Sequence, residues 1–70
     1  MLRLRVKEVA ESKGISMGKL SRLSDVTYNT IRTLYRHPEG GVNIQTLYRI
    51  AKALDVSVAD LIEEVPDNNE

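Results

Sequence analysis

The apolar residues of the chain recur in one pattern that predicts where helices begin. An aliphatic residue precedes a Ser, Thr or Asn, and a second aliphatic residue follows four positions after that polar residue. The polar side chain of such a pattern caps the first turn of a helix, and the two aliphatic side chains pack together over it. The pattern occurs four times, over residues 15–20, 26–31, 42–47 and 56–61, and it predicts helices that begin near 17, 28, 44 and 58.

Two segments at the start of the chain complete the predicted architecture. Residues 6–13 have helical spacing, and Gly14 is a residue that commonly ends a helix. Before them, LRLRV alternates apolar and basic residues, which is the period of a strand. This segment is therefore predicted either to be extended and pair with residues 62–65 or to be helical from Leu2.

The segment 44–54 has the most apolar face in the chain and is predicted to form the centre of the core. A loop over 37–41 precedes it, because Pro38 disfavours helix at the residue before it and the glycines permit a turn. The tail 66–70 is predicted to be frayed, which leaves 1–65 as a single domain. The residues that share the apolar face are Ile44, Leu47, Ile50, Ala51 and Leu54.

The composition excludes several classes of protein. The chain has 70 residues, no cysteine and one histidine, His37, so disulfides and thiolate or histidine metal sites are excluded. No apolar run reaches the length of a membrane span. The sequence also lacks a nucleophile grouped with a base and an orienting acid, and it lacks a phosphate-binding glycine loop. We therefore expect a cytoplasmic protein that is not an enzyme and has no cofactor, membrane contact or small-molecule ligand.

The charges are unevenly distributed although the net charge is zero. Residues 1–36 hold eight Lys and Arg against three acidic residues, which gives +5. Residues 37–70 hold two Lys and Arg against seven acidic residues, which gives −5. A neutral protein with this asymmetry can still present a cationic face to a polyanion.

The second and third predicted helices form a helix-turn-helix unit, because only residues 24–26 separate them. On the third helix Ile31 and Leu34 lie on one side, and a polar and cationic set shares the other. Arg can form paired hydrogen bonds with guanine and Asn with adenine, whereas Thr and Tyr can meet a thymine methyl or a phosphate. The alternative for these side chains is a solvated surface without a partner. The outward set is Tyr28, Asn29, Arg32, Thr33 and Arg36.

Residues 6–62 resemble the Cro/C1-type helix-turn-helix domain of phage repressors and bacterial regulators. The motifs that carry the resemblance are GIS at 14–16 with Leu20, VT at 26–27 with Ile31 and Leu34, VNI at 42–44 with Leu47, and the specific closing segment AKALDVSVADL. The resemblance implies an all-α, compact five-helix DNA-binding domain that is often dimeric on palindromic operators.

The resemblance also implies which residues contact DNA. The start of the third helix reads bases in the family, and its counterparts here are Tyr28, Asn29, Arg32 and Thr33. The family's phosphate contacts correspond to Ser16 with Met17, to Thr27, and to residues 41–43, which include Gly41 and Asn43. From their places on the helices, Lys19 and Arg36 are predicted to be further phosphate contacts.

Five positions depart from the usual family pattern. Ser21 stands where the family usually has alanine, at the tight crossing of the two helices. Asp25 stands where the family usually has a glycine in the turn, and Asp is one of the non-glycine residues that positive φ destabilises least. Met17 stands where the family usually has a polar residue, often Gln, whose side chain contacts phosphate. The usual Glu and Gly are also missing near Tyr35 and His37, which predicts a different loop after the third helix.

These observations predict a sequence-specific protein for double-stranded DNA, a transcriptional regulator of the repressor kind that inserts helix 28–36 in the major groove. The partner is expected to be an inverted-repeat operator in the nucleoid of a prokaryote or a phage-infected cell. A weak homodimer is expected to form on it through residues 62–65 and LRLRV. The alternative is a protein-interaction module of the same fold, such as an antitoxin or a docking domain, for which an apolar or acidic third helix would be typical.

Overall fold

A computed structural model describes residues 1–66 of the chain. Four α-helices surround a core of apolar side chains, and two short strands bring the two ends of this region together. Of the predicted frayed tail, 66–70, all but Pro66 lies outside the described residues. The elements are β1 (Leu2–Leu4), α1 (Val6–Ser12), α2 (Met17–Ser24), α3 (Tyr28–Arg36), α4 (Ile44–Leu54), a 3-10 helix (Val58–Leu61) and β2 (Ile62–Glu64).

Three of the predicted caps begin α-helices at the expected residues. Ser16 Oγ accepts a hydrogen bond from the Lys19 amide at 3.2 Å and begins α2. Thr27 Oγ1 accepts from the Thr30 amide at 3.3 Å and begins α3. Asn43 Oδ1 accepts from the first-turn amides of α4, the nearer at 2.7 Å. The capping pattern therefore predicted these helices correctly from local chemistry alone.

The prediction of a compact, mainly helical helix-turn-helix fold is confirmed over residues 1–66, but the prediction of a fifth α-helix is wrong. The segment after the fourth cap forms only a 3-10 helix of four residues, Val58–Leu61, and then enters β2. The Arg5 amide donates a hydrogen bond to the Leu61 carbonyl at 2.7 Å, so strand pairing takes the carbonyl that a longer helix would use. Tertiary pairing overrides the helical pattern at this point.

The N-terminal segment adopts the extended conformation rather than a helix from Leu2. Strands β1 and β2 are antiparallel, with Leu2 opposite Glu64 and Leu4 opposite Ile62. The Val65 amide extends the ladder by donating to the Met1 carbonyl at 2.8 Å. Because side chains alternate along a strand, the leucines share one face of the sheet and Arg3 lies on the other.

Helix α4 lies at the centre of the core, but the predicted apolar face is wrong at its first residue. Leu47 and Leu54 are 3 % and 1 % exposed, as predicted. Ile44 is 79 % exposed. It occupies the first turn of α4, before the helix reaches the core, and the cap is already closed by Val42 and Leu47, which pack in the core cluster.

The turn between α2 and α3 accommodates both of its departures from the family pattern. Asp25 ends α2 at φ 59°, in the left-handed region that the usual glycine would favour. The Ser21 hydroxyl donates a hydrogen bond to the carbonyl of Val26, across the turn. Serine therefore ties α2 to the residue that precedes the α3 cap, which alanine at this position cannot do.

Replacing Ser21 with alanine is expected to destabilise the domain by about 0.5–1.5 kcal/mol, because the partly buried Val26 carbonyl loses its side-chain donor. The higher helix propensity of alanine will offset a few tenths of that loss. Urea denaturation measures the change. Ser12→Ala is the matched control, since it removes an exposed hydroxyl that donates to the Val9 carbonyl at 2.7 Å. An equal loss in both variants would contradict the role of the turn bond.

Candidate nucleic-acid interface

Helix α3 presents the predicted polar face to solvent and buries the opposite side. Ile31 and Leu34 are 0 % and 5 % exposed and belong to the core. Since neither apolar side chain reaches the surface, the outer face is free for recognition. The exposed residues on it are Tyr28, Asn29, Arg32, Thr33 and Arg36.

The hydrogen bonds of α3 determine which of these groups are available. The Thr33 hydroxyl donates to the Asn29 carbonyl at 2.9 Å, so Thr33 presents a methyl group and an acceptor oxygen. The Thr27 and Thr30 hydroxyls are 2.9 Å apart and share a hydrogen bond at the cap. Within residues 1–66, the side-chain amide of Asn29 and the guanidinium of Arg32 have no hydrogen-bond partner. All of their donors and acceptors are therefore open to an external group.

An open groove separates α3 from the start of α4. It brings together five of the residues predicted to contact bases or phosphates and adds Thr30, Leu34 and Val42. The sequence reasoning missed Thr30, although its place three residues after the Thr27 cap could have indicated it. The predicted residues that line this groove are Asn29, Arg32, Thr33, Gly41 and Asn43.

The other predicted contact residues lie outside this groove. Ser16, Met17 and Lys19 belong to the start of α2, and Thr27 is the cap of α3. The Met17 side chain packs against the core, so only its backbone amide can meet a phosphate. Ser16 and Lys19 are exposed.

The arginines of β1 and its junction with α1 are committed to ion pairs and are not part of a free cationic face. Arg3 lies 2.8 Å from the Glu8 carboxylate and 3.6 Å from that of Glu63, which is also 3.5 Å from Arg5. Burial disfavours ionisation of Glu8, but its backbone hydrogen bond and Arg3 together hold the pKa of Glu8 below its ordinary value. The opposing charges of the two halves of the chain therefore partly cancel at the sheet.

The cations of α2 and α3 are available, in contrast. Among the described residues, Lys19, Arg22, Arg32 and Arg36 take part in no ion pair. All four are exposed. The helix-turn-helix unit therefore carries four positive charges that no acidic side chain among the described residues neutralises.

Tyr35 belongs to the inner side of α3. Its ring packs against the core, and its buried hydroxyl has no hydrogen-bond partner within residues 1–66. Burial raises the pKa of Tyr35, and the nearby Glu11 carboxylate adds to the effect. Tyr35 therefore stabilises the packing of α3 and does not share its outer face.

Residues 1–66 contain neither a membrane-spanning helix nor a cluster of metal-ligating side chains. Over residues 1–66, no helix combines the length and apolarity needed to cross a bilayer. The described part of the chain also places no three His, Cys, Asp or Glu side chains where they could hold a metal ion.

Comparison with known proteins agrees with the geometry of α2 and α3. The sequence model of the Cro/C1-type HTH DNA-binding domain matches residues 5–67. The chain is also similar to the HTH-type transcriptional regulator SinR of Bacillus subtilis (strain 168), with 30 % identity over 64 residues. That match covers 91 % of this chain and 58 % of SinR, so the chain spans little more than half the length of this relative. Because the family model matches this chain over residues 5–67, which is nearly all of it, the chain belongs to the Cro/C1-type helix-turn-helix family of DNA-binding domains.

Proposed function

We propose that residues 1–65 form a sequence-specific binding unit for double-stranded DNA that regulates transcription as a repressor. The observation that carries the proposal is the outer face of α3, where the Asn29 amide and the Arg32 guanidinium are exposed and unpaired. An α-helix fits the major groove of B-form DNA, where each base pair presents a distinct set of donors and acceptors. Helix α3 therefore supplies base recognition.

Base recognition is assigned to four side chains on α3. Arg32 donates two hydrogen bonds to guanine, and Asn29 pairs with adenine. Thr33 offers its methyl group to thymine, because its hydroxyl proton is already used by the Asn29 carbonyl. Tyr28, which is 47 % exposed at the first position of α3, packs against a base or the backbone.

Phosphates are held on both sides of α3. The first turn of a helix has amides that no carbonyl of that helix accepts, and they attract phosphate. The start of α4, with Gly41 and Asn43 before it, therefore meets one phosphate strand across the groove. The start of α2 and the cap of α3 meet the phosphates of the other DNA strand. Lys19 on α2 and Arg36 on α3 add positive charge to the attraction. These contacts are Ser16, the Met17 amide, Lys19, Thr27 and Arg36.

The proposed operator is an inverted repeat bound by two molecules. One α3 of nine residues reads only a few base pairs, which is too little information for a specific genomic site. Two-fold pairing doubles the site and requires half-sites about one helical turn apart. The site of action is the nucleoid of a prokaryotic or phage-infected cell. A protein-interaction module is the weaker alternative, since the outer face of α3 is cationic and polar rather than apolar or acidic.

The proposal predicts a steep dependence of binding on salt. A selection on random duplex DNA will supply the preferred site, and titrations over a range of salt concentrations will give the slope of log K. Lys19→Ala is expected to lower that slope by about 1, because one phosphate contact and its displaced counterion are lost.

Glu64→Gln is the matched control for Lys19→Ala. Glu64 is exposed on β2 and takes part in no ion pair with another described residue. On a duplex with one half-site, where pairing through residues 62–65 plays no part, the salt slope and affinity of Glu64→Gln should equal those of the wild type. Binding that does not depend on salt, or a selection that returns no motif, would contradict the proposed function.

A further inference from the structure

A shallow groove between the end of α2 and the later turns of α4 contains both basic residues of the acidic half of the chain. Residues 37–70 hold Arg49 and Lys52 as their only Lys and Arg, against seven acidic residues. Both side chains line this groove and are exposed. Neither forms an ion pair with another described residue. The acidic half of the molecule therefore keeps its positive charge at one place, where an acidic group of another molecule can approach it.

The same surface exposes two large apolar side chains. Leu23 lines the groove with 53 % of its surface exposed, and Tyr48 is equally exposed on α4. The Lys52 ammonium lies over the Tyr48 ring, 5.7 Å from its centre, in a cation–π contact that leaves its charge intact. An exposed apolar patch beside unpaired cations favours an occupant that carries both apolar and acidic groups.

The chemistry of the groove favours a protein over DNA as that occupant. Asp25 lines the groove together with the two cations. A DNA backbone carries its charges without interruption, so it would also place phosphates near the Asp25 carboxylate. On α4, Arg49 and Lys52 follow Ile44 by five and eight residues, which places them about 8 and 12 Å along the axis from the start of the helix. They therefore lie beyond the part of α4 to which the phosphate contact is assigned.

A protein segment can match this arrangement of charges. Arg49 and Lys52 are three residues apart on α4, so they are neighbours on the helix surface. Two carboxylates one helical turn apart on a partner have the same spacing, and each can approach one of the cations. Apolar side chains beside those carboxylates would cover Leu23 and Tyr48, and an uncharged position would meet Asp25.

We propose that the groove between α2 and α4 is a docking surface for an acidic amphipathic segment of another protein. Arg49 and Lys52 are its charge contacts, and Leu23 is its main apolar contact. This surface goes beyond the proposed function, since it shares no residue with the groove between α3 and α4. The contact is small, so the complex is weak in solution and becomes strong when both proteins are held on one duplex.

A peptide library tests this inference without DNA. Random peptides displayed on phage are selected on the wild type and counter-selected on the variant that carries both Arg49→Gln and Lys52→Gln. A recovered peptide is synthesised and titrated against each variant by fluorescence anisotropy, and thermal melting checks each fold. Lys7→Gln and Leu2→Gln are the matched controls for the charged and apolar contacts, because Lys7 and Leu2 are exposed but do not line this groove.

The wild type should return peptides in which acidic and apolar residues alternate over one or two helical turns. Arg49→Gln and Lys52→Gln should each weaken such a peptide by about two- to fivefold, as the loss of an exposed ion pair does. Leu23→Gln should weaken it by about tenfold, because an aliphatic side chain is no longer covered. Asp25→Asn should strengthen it by about twofold, because a like charge is removed and asparagine also tolerates the positive φ of this turn.

Titrations with a duplex that has one half-site separate the two classes of partner. Arg49→Gln and Lys52→Gln should keep the salt slope of the wild type. A slope lowered by about 1 in either variant, as is expected for Lys19→Ala, would mean that these cations contact phosphate, and it would overturn the inference. A selection that returns no peptide dependent on the two cations would overturn it as well. A wild type that binds no specific duplex would overturn the proposed function alone, since the peptide titrations contain no DNA.

Discussion

Arg32→Ala should cost about 1–3 kcal/mol of specific DNA binding and relax the preference at one or two base pairs, including a guanine. The guanidinium is exposed on α3 beside the groove to α4 and has no partner among residues 1–66, so its removal breaks no bond within the described fold. The free energy of unfolding should therefore stay within about 0.5 kcal/mol of the wild type. A binding-site selection on both proteins measures the change in preference.

Arg36→Ala is the matched control for Arg32→Ala, because both remove an exposed arginine from α3. A phosphate contact carries no sequence information, so Arg36→Ala should weaken binding to all sequences alike and lower the salt slope. Asn29→Ala should act as Arg32→Ala does, at a neighbouring base pair. If the wild type and Arg32→Ala returned the same motif with equal information at every position, Arg32 would not read bases.

Ile31→Ala should destabilise the domain by about 2–5 kcal/mol, because a fully buried side chain is lost from the core. A small domain has roughly 5–15 kcal/mol in total, so this variant is expected to be partly unfolded. DNA binding should fall in proportion to the folded fraction, with no change in the preferred sequence. Thermal melting followed by circular dichroism measures the loss, and Leu54→Ala should give a similar value.

Leu23→Ala is the control for the core substitutions, since Leu23 lies on α2 with 53 % of its surface exposed. Its unfolding free energy should change by no more than about 0.5 kcal/mol. An Ile31→Ala variant that melted at the wild-type temperature would mean that α3 does not pack against the core as described.

Local chemistry explains why most of the fold could be predicted from the sequence. A capping residue and its two flanking aliphatics act within one turn, so the starts of α2, α3 and α4 follow from adjacent residues. The fifth helix could not be excluded in this way, because β1, more than fifty residues earlier, pairs with the chain just after Leu61. The exposure of Ile44 could not be predicted from the sequence either, because helical periodicity shows which face is apolar but not where along the helix axis the core ends.

The same distinction applies to the candidate site. The outer face of α3 follows from helical spacing, and the structure places its predicted side chains in solvent. The groove between α3 and α4 depends on how the loop over 37–41 returns the chain, which spacing does not encode. The neutralisation of Arg3 by Glu63 depends on strand register, so counting charges along the sequence overstated the cationic surface.

The hydrogen bond from the Leu4 amide to the Pro38 carbonyl, at 2.8 Å, has a consequence for the entropy of recognition. It attaches β1 to the loop that holds Gly41 beside the proposed DNA face, and the bond from the Gly40 amide to the His37 carbonyl, at 2.9 Å, closes a turn within the same loop. A loop fixed when the chain folds loses little further conformational freedom when it meets a phosphate. A strand with no side chain in the groove between α3 and α4 thereby preorganises the loop that flanks that groove.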